Sequence, residues 1–283
     1  MAAPDLRIGI VGVESSHAEH LITHLNVERR FAARVTALAD GPAERARELA
    51  ATGGISQLVD SVPALLPLCD ALIVTNRHGA THAERALPFL HAGRPVFVDK
   101  PFAASVADAE TMVHAARASG AALTSSSALL WLPEFTELYT ALPDLGQLQT
   151  IVATGPADPA DEYGGLLFYG AHPVNVALGL APDGPLRQLR VERTDGGVVA
   201  SCRVGEVFVQ VLLICPDEHG EVPFQLQAVG RHGAEHRQFS LDEDYLLPTL
   251  VAFLHMVESG RPPISAHRMV RDVEFLQAIC ASG

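Results

Sequence analysis

Arg94-Pro95-Val96-Phe97-Val98-Asp99-Lys100-Pro101 is the stretch from which the fold is read. A short apolar, β-branched run ends in an acid, a lysine and a proline, the pattern of a buried parallel strand reaching the carboxyl edge of its sheet. Ligands of open α/β sheets bind outside that edge. Lys100 is therefore expected in the crevice, its backbone direction restricted by Pro101. A partly desolvated lysine there has its pKa lowered toward neutrality, which suits proton transfer. Taken alone, the same residue also fits a strand-end lysine facing solvent.

Outward from this stretch, strands alternate with helices. Leu6 to Gly12 is a short apolar strand ending in glycine, and a helical pattern runs from His17 to about Leu25. Ser16 with Glu19 three residues later reads as a capping box, which starts the helix at Ser16. A strand, a tight turn and a helix N-terminus make a ready anion site. The second strand, Arg34 to Ala39, ends in Asp40 and is followed by a helix through Ala50 closed by Gly53-Gly54. An acid at the end of the second strand is placed to bond a ribose hydroxyl pair. Asp70 to Thr75 is another buried strand, running into the polar turn Asn76 to His82 at the same sheet edge as Asp99-Lys100. Thr75, Asn76, Arg77 and His78 either line the nicotinamide side of a nucleotide or form a polar loop. Ser105 and Asp108 cap a helix to Ser119-Gly120, and Ala121 to Thr124 is the last strand of this half. The alternation predicts an α/β fold with a right-handed, doubly wound parallel sheet.

The glycine-rich dinucleotide fingerprint is incomplete. Where G-x-G-x-x-G is expected, the chain reads Gly12-Val13-Glu14-Ser15-Ser16-His17. Gly12, Val13, Ser15, Ser16 and His17 are the candidate phosphate-side residues. Glu14 stands where a second glycine lets backbone approach pyrophosphate. At about 5 Å and an effective dielectric of about 20, a like-charge contact costs roughly 3 kcal/mol, on the order of 100-fold in affinity. Glu14 is thus expected to point away or to be compensated by the helix N-terminus and the Ser15 and Ser16 hydroxyls. His17, His20 and His24 share a helix face, but without a carboxylate or cysteine partner no metal site is expected.

The pattern changes beyond Leu130. Glu134 to Leu142 and Leu166 to Leu180 read as helices, and Gln147 to Thr154 as a strand. Alternating runs follow at Leu189 to Glu192, Val198 to Val204, Val207 to Ile214, Phe224 to Val229 and Arg237 to Leu241, which predict a mainly antiparallel sheet. Two helices, Asp244 to Glu258 and His267 to Cys280, close the chain. The division expected is a Rossmann domain over 1–124 and an α+β substrate-binding and oligomerisation domain over 125–283, with the last helix able to pack back on the first.

The chain has 283 residues, 48% of them hydrophobic, enough for two cores. No stretch reaches the roughly 18 apolar residues of a membrane span, and the N-terminus lacks a signal-peptide core. A formal net charge of −13 argues against nucleic acid or an anionic membrane as partner. The four cysteines show no metal or redox spacing. They fit buried thiols in a cytoplasmic protein.

Taken in order, these segments resemble the Gfo/Idh/MocA oxidoreductases, the group of glucose–fructose oxidoreductase and inositol dehydrogenase. The likeness rests on Gly9 to His20, Ala37-Leu-Ala-Asp40, Asp70 to Thr75, His82-Ala83-Glu84, Ala92 to Val96 and, above all, Asp99-Lys100-Pro101, similar to the family's Glu-Lys-Pro. Gly164-Gly165 and Gly170-Ala171-His172 look like its glycine-rich segment before an active-site histidine, and Gly260-Arg261-Pro262-Pro263 like its link to the last helix. The resemblance implies hydride transfer between nicotinamide and a carbinol or carbonyl carbon of a sugar-derived small molecule. Lys100 would hold the reacting oxygen, with His172 as its acid/base partner. It also implies a homodimer or homotetramer formed through the C-terminal sheet. Asp40, without an arginine directly after it, favours NAD over NADP.

One departure bears on the chemistry. The family commonly has Asp four residues before this histidine, where the chain has Phe168. Tyr169, Tyr163 or Asn175 could substitute, since each donates and accepts. Phe168 also makes the pocket more apolar, which suggests a substrate with fewer hydroxyls than a hexose. Two further readings stay open: a non-redox enzyme on the same scaffold using nicotinamide transiently for elimination, epimerisation or glycoside cleavage, and a binding or regulatory protein without cofactor.

Overall fold

Residues 5–281 are described by the computed structural model. The first residues of the N-terminus, where a leader was sought in the sequence, lie outside them. In chain order the elements are β1 (Leu6–Val11), α1 (Ser16–Ile22), β2 (Ala33–Ala39), α2 (Ala43–Gly53), β3 (Gln57–Val59), α3 (Val62–Leu65), β4 (Ala71–Val74), α4 (His82–His91), β5 (Val96–Val98), α5 (Val106–Ser119) and β6 (Leu123–Ser125). They continue with α6 (Pro133–Ala141), β7 (Leu148–Pro156), α7 (Leu166–Leu180), β8 (Leu186–Thr194), β9 (Gly197–Val204), β10 (Val207–Ile214), β11 (Gln225–Gly230), β12 (Gly233–Gln238), α8 (Leu247–Ser259) and α9 (Ala266–Ala281). By packing, the chain divides into one unit of residues up to 103, 107–125 and 246–266, and a second of 104–106, 126–245 and the rest.

The first unit is built on a parallel sheet of strand order β3-β2-β1-β4-β5-β6. β4 and β5 are buried along their whole length, as strands covered on both faces must be. Asp99 and Lys100 follow β5 directly, so the opening octapeptide sits where its pattern predicts. β3 escapes the sequence reading because this three-residue edge strand is largely exposed and carries no apolar run. A linear division at 124/125 puts α8 in the second unit, yet Leu250, Phe253 and Met256 enter the first unit's core beside Ile8, Ile10 and Ile73. The Phe97 and Phe253 rings lie 6.1 Å apart.

α1 begins at Ser16, as the sequence predicts, but its cap differs. Ser15, not Ser16, caps α1: it is extended, and its side chain accepts from the His17 amide. The expected capping box does not form, because Glu19 turns outward to Arg45. α1 then runs on through a wide turn over Thr23–Val27.

The second unit carries a sheet of order β12-β11-β7-β10-β9-β8, antiparallel except for the β7–β10 pair. β10 shows the two-residue period at its clearest, with Val207, Val209, Val211 and Leu213 buried and Phe208, Gln210, Leu212 and Ile214 half-exposed. α7, apolar almost all round, covers the buried face over β7 and β10. The final strand falls at 233–238 rather than 237–241, since Gly230 and Gly233 pair across a two-residue turn and fix the register. α8 begins at Leu247 rather than Asp244, where the Asp242 side chain instead accepts from the Asp244 amide in a local turn.

Candidate functional site

In the first unit, the candidate residues gather at the carboxyl edge of the parallel sheet. Thr75 closes the turn after β1: its amide donates to Val11 O at 2.7 Å, and its hydroxyl lies 3.0 Å from Val11 O and 2.9 Å from Gly12 O. Gly12 has φ +93°, and a Cβ there would stand 2.2 Å from the Asn76 nitrogen. Only glycine meets both conditions.

Glu14 does not face the helix N-terminus, and neither Ser15 nor Ser16 compensates it. Its Oε1 accepts from the Arg77 amide (3.2 Å) and from Asn76 Nδ2 (3.3 Å). The same Asn76 Nδ2 lies 3.2 Å from Asp40 Oδ2, which also accepts from Arg85 Nε at 2.6 Å. Thus Glu14, Asp40, Asn76, Arg77 and Arg85 form one hydrogen-bonded group. Glu14 Oε2 and Asn76 Oδ1 are buried acceptors without a hydrogen-bond partner among the described residues. Arg85 is a neighbour of Asp40 that its distance in sequence conceals.

His17 and Asp99 meet at 2.6 Å (Nδ1 to Oδ2), joining α1 to the end of β5. Burial opposes ionisation of Asp99, but His17 and Lys100 outweigh it and hold the carboxyl below its usual range. Lys100 is buried at 4% exposure, and its peptide bond to Pro101 is cis. His82, noted in the sequence only as part of the resemblance, is wholly buried between Asn76 O (2.7 Å) and Pro101 O (2.8 Å). Burial pushes its pKa down, against the two carbonyl oxygens, each of which favours an N–H on the ring.

Three candidates play local parts. The Val13 side chain is fully buried in the core, Ser16 is exposed, and His78 accepts from the Ala80 amide to cap a short turn. His24 bonds Glu28, and no group of three or more potential metal ligands occurs among the described residues.

The second unit brings His172 and Asn175 together one turn apart on α7, both buried. Phe224 lies 5.0 Å from His172, ring centre to ring centre, and Tyr169 lies 6.1 Å away. Phe168 lies tilted to Tyr163 (ring centres 5.4 Å apart) and edge-on to Tyr169 (4.9 Å). The polar partners of this cluster were missed in the sequence. Ser127 Oγ lies 2.7 Å from His172 Nδ1, the Ser127 amide donates to Asn175 Oδ1 at 2.6 Å, and Asn175 Nδ2 donates to Asp272 Oδ2 at 2.9 Å. Two signals were available: the serine run Ser125–Ser127 directly after an apolar strand, and an acid on the apolar stripe Met269, Asp272, Val273, Leu276 of α9.

Residues 6–127 match a family model described as an oxidoreductase family with an NAD-binding Rossmann fold, Gfo/Idh/MocA. The chain is similar to that family over about two fifths of its length. Its relatives include scyllo-inositol 2-dehydrogenase (NADP(+)) IolU of Bacillus subtilis, 31% identical over 123 residues, which is 43% of this chain and 37% of that protein. Inositol 2-dehydrogenase of Rhodococcus erythropolis is 32% identical over 139 residues, 49% of this chain and 39% of the relative. Both matches span less than two fifths of the relative. The fold likeness extends further: the myo-inositol dehydrogenase of Lactobacillus casei, solved with NAD(H) and myo-inositol, superposes with a TM-score of 0.82 over 98% of this chain and 94% of its own, at 17% identity. The likeness in fold thus extends well beyond the segment that sequence comparison aligns. None of its described helices is long and apolar enough to cross a membrane.

Proposed function

We propose that the protein is a nicotinamide-dependent oxidoreductase acting on a carbinol or carbonyl carbon of a small, sugar-derived or related molecule. The observation that carries this reading is Lys100, buried at the carboxyl end of β5 in a chain whose first half matches an NAD-binding family. Bound nicotinamide would supply the hydride acceptor or donor.

The residues present fit such a nucleotide. Asp40 stands at the end of β2 beside two buried acceptors that lack donors, Glu14 Oε2 and Asn76 Oδ1, and a ribose diol is a donor of this kind. Glu14 Oε1 is already met by two donors, which lowers its cost to a phosphate nearby. Two carboxylates, of which Asp40 is paired with the Arg85 guanidinium, disfavour a 2′-phosphate, so we assign NAD ahead of NADP. Asp99, held ionised by His17, keeps a negative charge beside Lys100. Lys100 and His172 handle the proton at the reacting oxygen. The aromatic surroundings of His172 favour a substrate less hydroxylated than a hexose.

Half-exposed Phe208, Leu212 and Ile214 on the outer face of β10 support a homodimer or homotetramer through the second sheet. The four free cysteines support a cytoplasmic location.

The test is a turnover screen of polyols, deoxy sugars and simpler carbinols with NAD and NADP, read by reduced-nicotinamide absorbance. A substrate whose oxidation disappears in Lys100→Ala while nucleotide binding persists supports the proposal. Inositol or glucose as best substrate would sink the apolar-pocket argument. Turnover without net change in absorbance would favour a non-redox enzyme on this scaffold.

A further inference from the structure

No carboxylate stands one turn before His172, yet the imidazole is not left without an orienting partner. Ser127 is wholly buried, and its Oγ accepts from the Leu129 amide at 3.2 Å while lying 2.7 Å from His172 Nδ1. A serine hydroxyl has one proton to donate. Among its contacts His172 Nδ1 is the acceptor within reach, and leaving a buried O–H unspent costs about 1–3 kcal/mol. The hydroxyl therefore donates into Nδ1, and the ring proton resides on Nε2.

Ser127 is in turn fixed from behind. Its amide donates to Asn175 Oδ1, and the sense of that amide is set by Asp272, which accepts from Asn175 Nδ2. Turning the Asn175 amide over would set oxygen against the carboxylate and nitrogen against an N–H. Arg271, next to Asp272 on α9, donates to Leu178 O and Pro182 O (2.8 Å each) at the end of α7. Each of these four side chains is buried.

We propose that Ser127, Asn175 and Asp272 are positioning residues that hold His172 as the tautomer protonated on Nε2, the form whose Nε2–H can be donated to a reacting oxygen. This rests on the reading of Lys100 and His172 as the proton-handling pair. A neutral imidazole that donates without ionising is a known way to polarise a carbonyl.

The experiment is nitrogen–proton correlation NMR of the full chain with isotope-labelled histidine at alkaline pH, with His172→Gln used to assign its signals. The expected result is an unprotonated Nδ1 and a single tautomer in the wild type and in Ser127→Thr. Ser127→Ala and Asp272→Leu should give a tautomer mixture, while Asp272→Asn, which keeps an acceptor for Asn175, should retain the wild-type pattern. A proton on Nδ1 in the wild type would overturn the proposal, and so would spectra unchanged in both Ser127→Ala and Asp272→Leu. Because the free protein is observed, these outcomes are distinct from failure to find a redox substrate. Where turnover is found, Ser127→Ala should keep NADH affinity and lower kcat about tenfold, the worth of one hydrogen bond.

Discussion

His17 and Asp99 are 2.6 Å apart although 82 residues separate them in the chain, and their contact ties the first helix to the residue before Lys100. Both are nearly buried, with side chains 12% and 7% exposed. Removing one member of such a pair leaves a buried charge without its partner, so His17→Ala should destabilise the fold by about 3 kcal/mol. The pH dependence follows from the lowered Asp99 pKa. A carboxyl depressed in the native state adds stability above its unfolded value and loses it as pH falls through the folded one. The gap between wild type and His17→Ala in urea unfolding should therefore narrow below about pH 4.

Glu14 and Asp40 share the Asn76 amide, and this predicts a nucleotide preference. Asp40→Ala should weaken NADH binding by about 10-fold or more, the loss of a charged hydrogen-bond acceptor, and narrow the preference over NADPH. Glu14→Gln keeps an acceptor for Arg77 and Asn76 while removing a charge, so NADPH affinity should rise relative to NADH. Fluorescence titration checks both, and an unchanged NADPH to NADH ratio in both variants would remove the two-carboxylate argument.

Gly12 is a backbone position that no side chain can take. A Cβ would meet Asn76 N at 2.2 Å, and φ is +93°. Gly12→Ala should cost about 3 kcal/mol, clash and conformation together, and should lower NADH affinity more than stability alone explains, because Asn76 would be displaced. Paired denaturation and titration curves measure this.

The parts of the fold legible in the sequence were those with short-range physics. β4 and β5 are continuous apolar runs because both faces are covered, and β10 alternates because one face is. Asp99-Lys100-Pro101 was legible as the end of a buried strand. What escaped depends on partners distant in sequence. Ser15 and Ser16 are chemically equal caps; Ser15 takes the role, and Glu19 pairs with Arg45, 26 residues on. α8 is apolar enough to serve either unit, and its side chains alone do not say which core takes Phe253. Arg85 next to Asp40 is a tertiary juxtaposition with no local signature, and the serine run at Ser127 and the acid at Asp272 do not say that His172 is what they meet.

Asp272 predicts a stability slope of the opposite sign from Asp99. Burial pushes its carboxyl up to about 7, although Arg268 and Arg271 pull it down. The native state then keeps a proton that the unfolded chain releases near pH 4 or so. Stability falls as pH rises between those two values and levels off above. Asp272→Asn should remove this fall, at most about 4 kcal/mol. Urea unfolding at about pH 5 and about pH 8 checks it: the variant should gain on the wild type at the higher pH, and parallel curves would contradict the assignment.

The central claim is a working nicotinamide site at the carboxyl edge of the first sheet, despite Glu14. Titration of the purified protein with NADH and NADPH, followed by energy transfer from Trp131 and the tyrosines, tests it most directly. Saturable NADH binding, weakened in Asp40→Ala and retained in Lys100→Ala, is the predicted result. No binding of either nucleotide at millimolar concentration would mean that Glu14 closes the site, and the oxidoreductase reading would fall in favour of a binding or regulatory protein without cofactor.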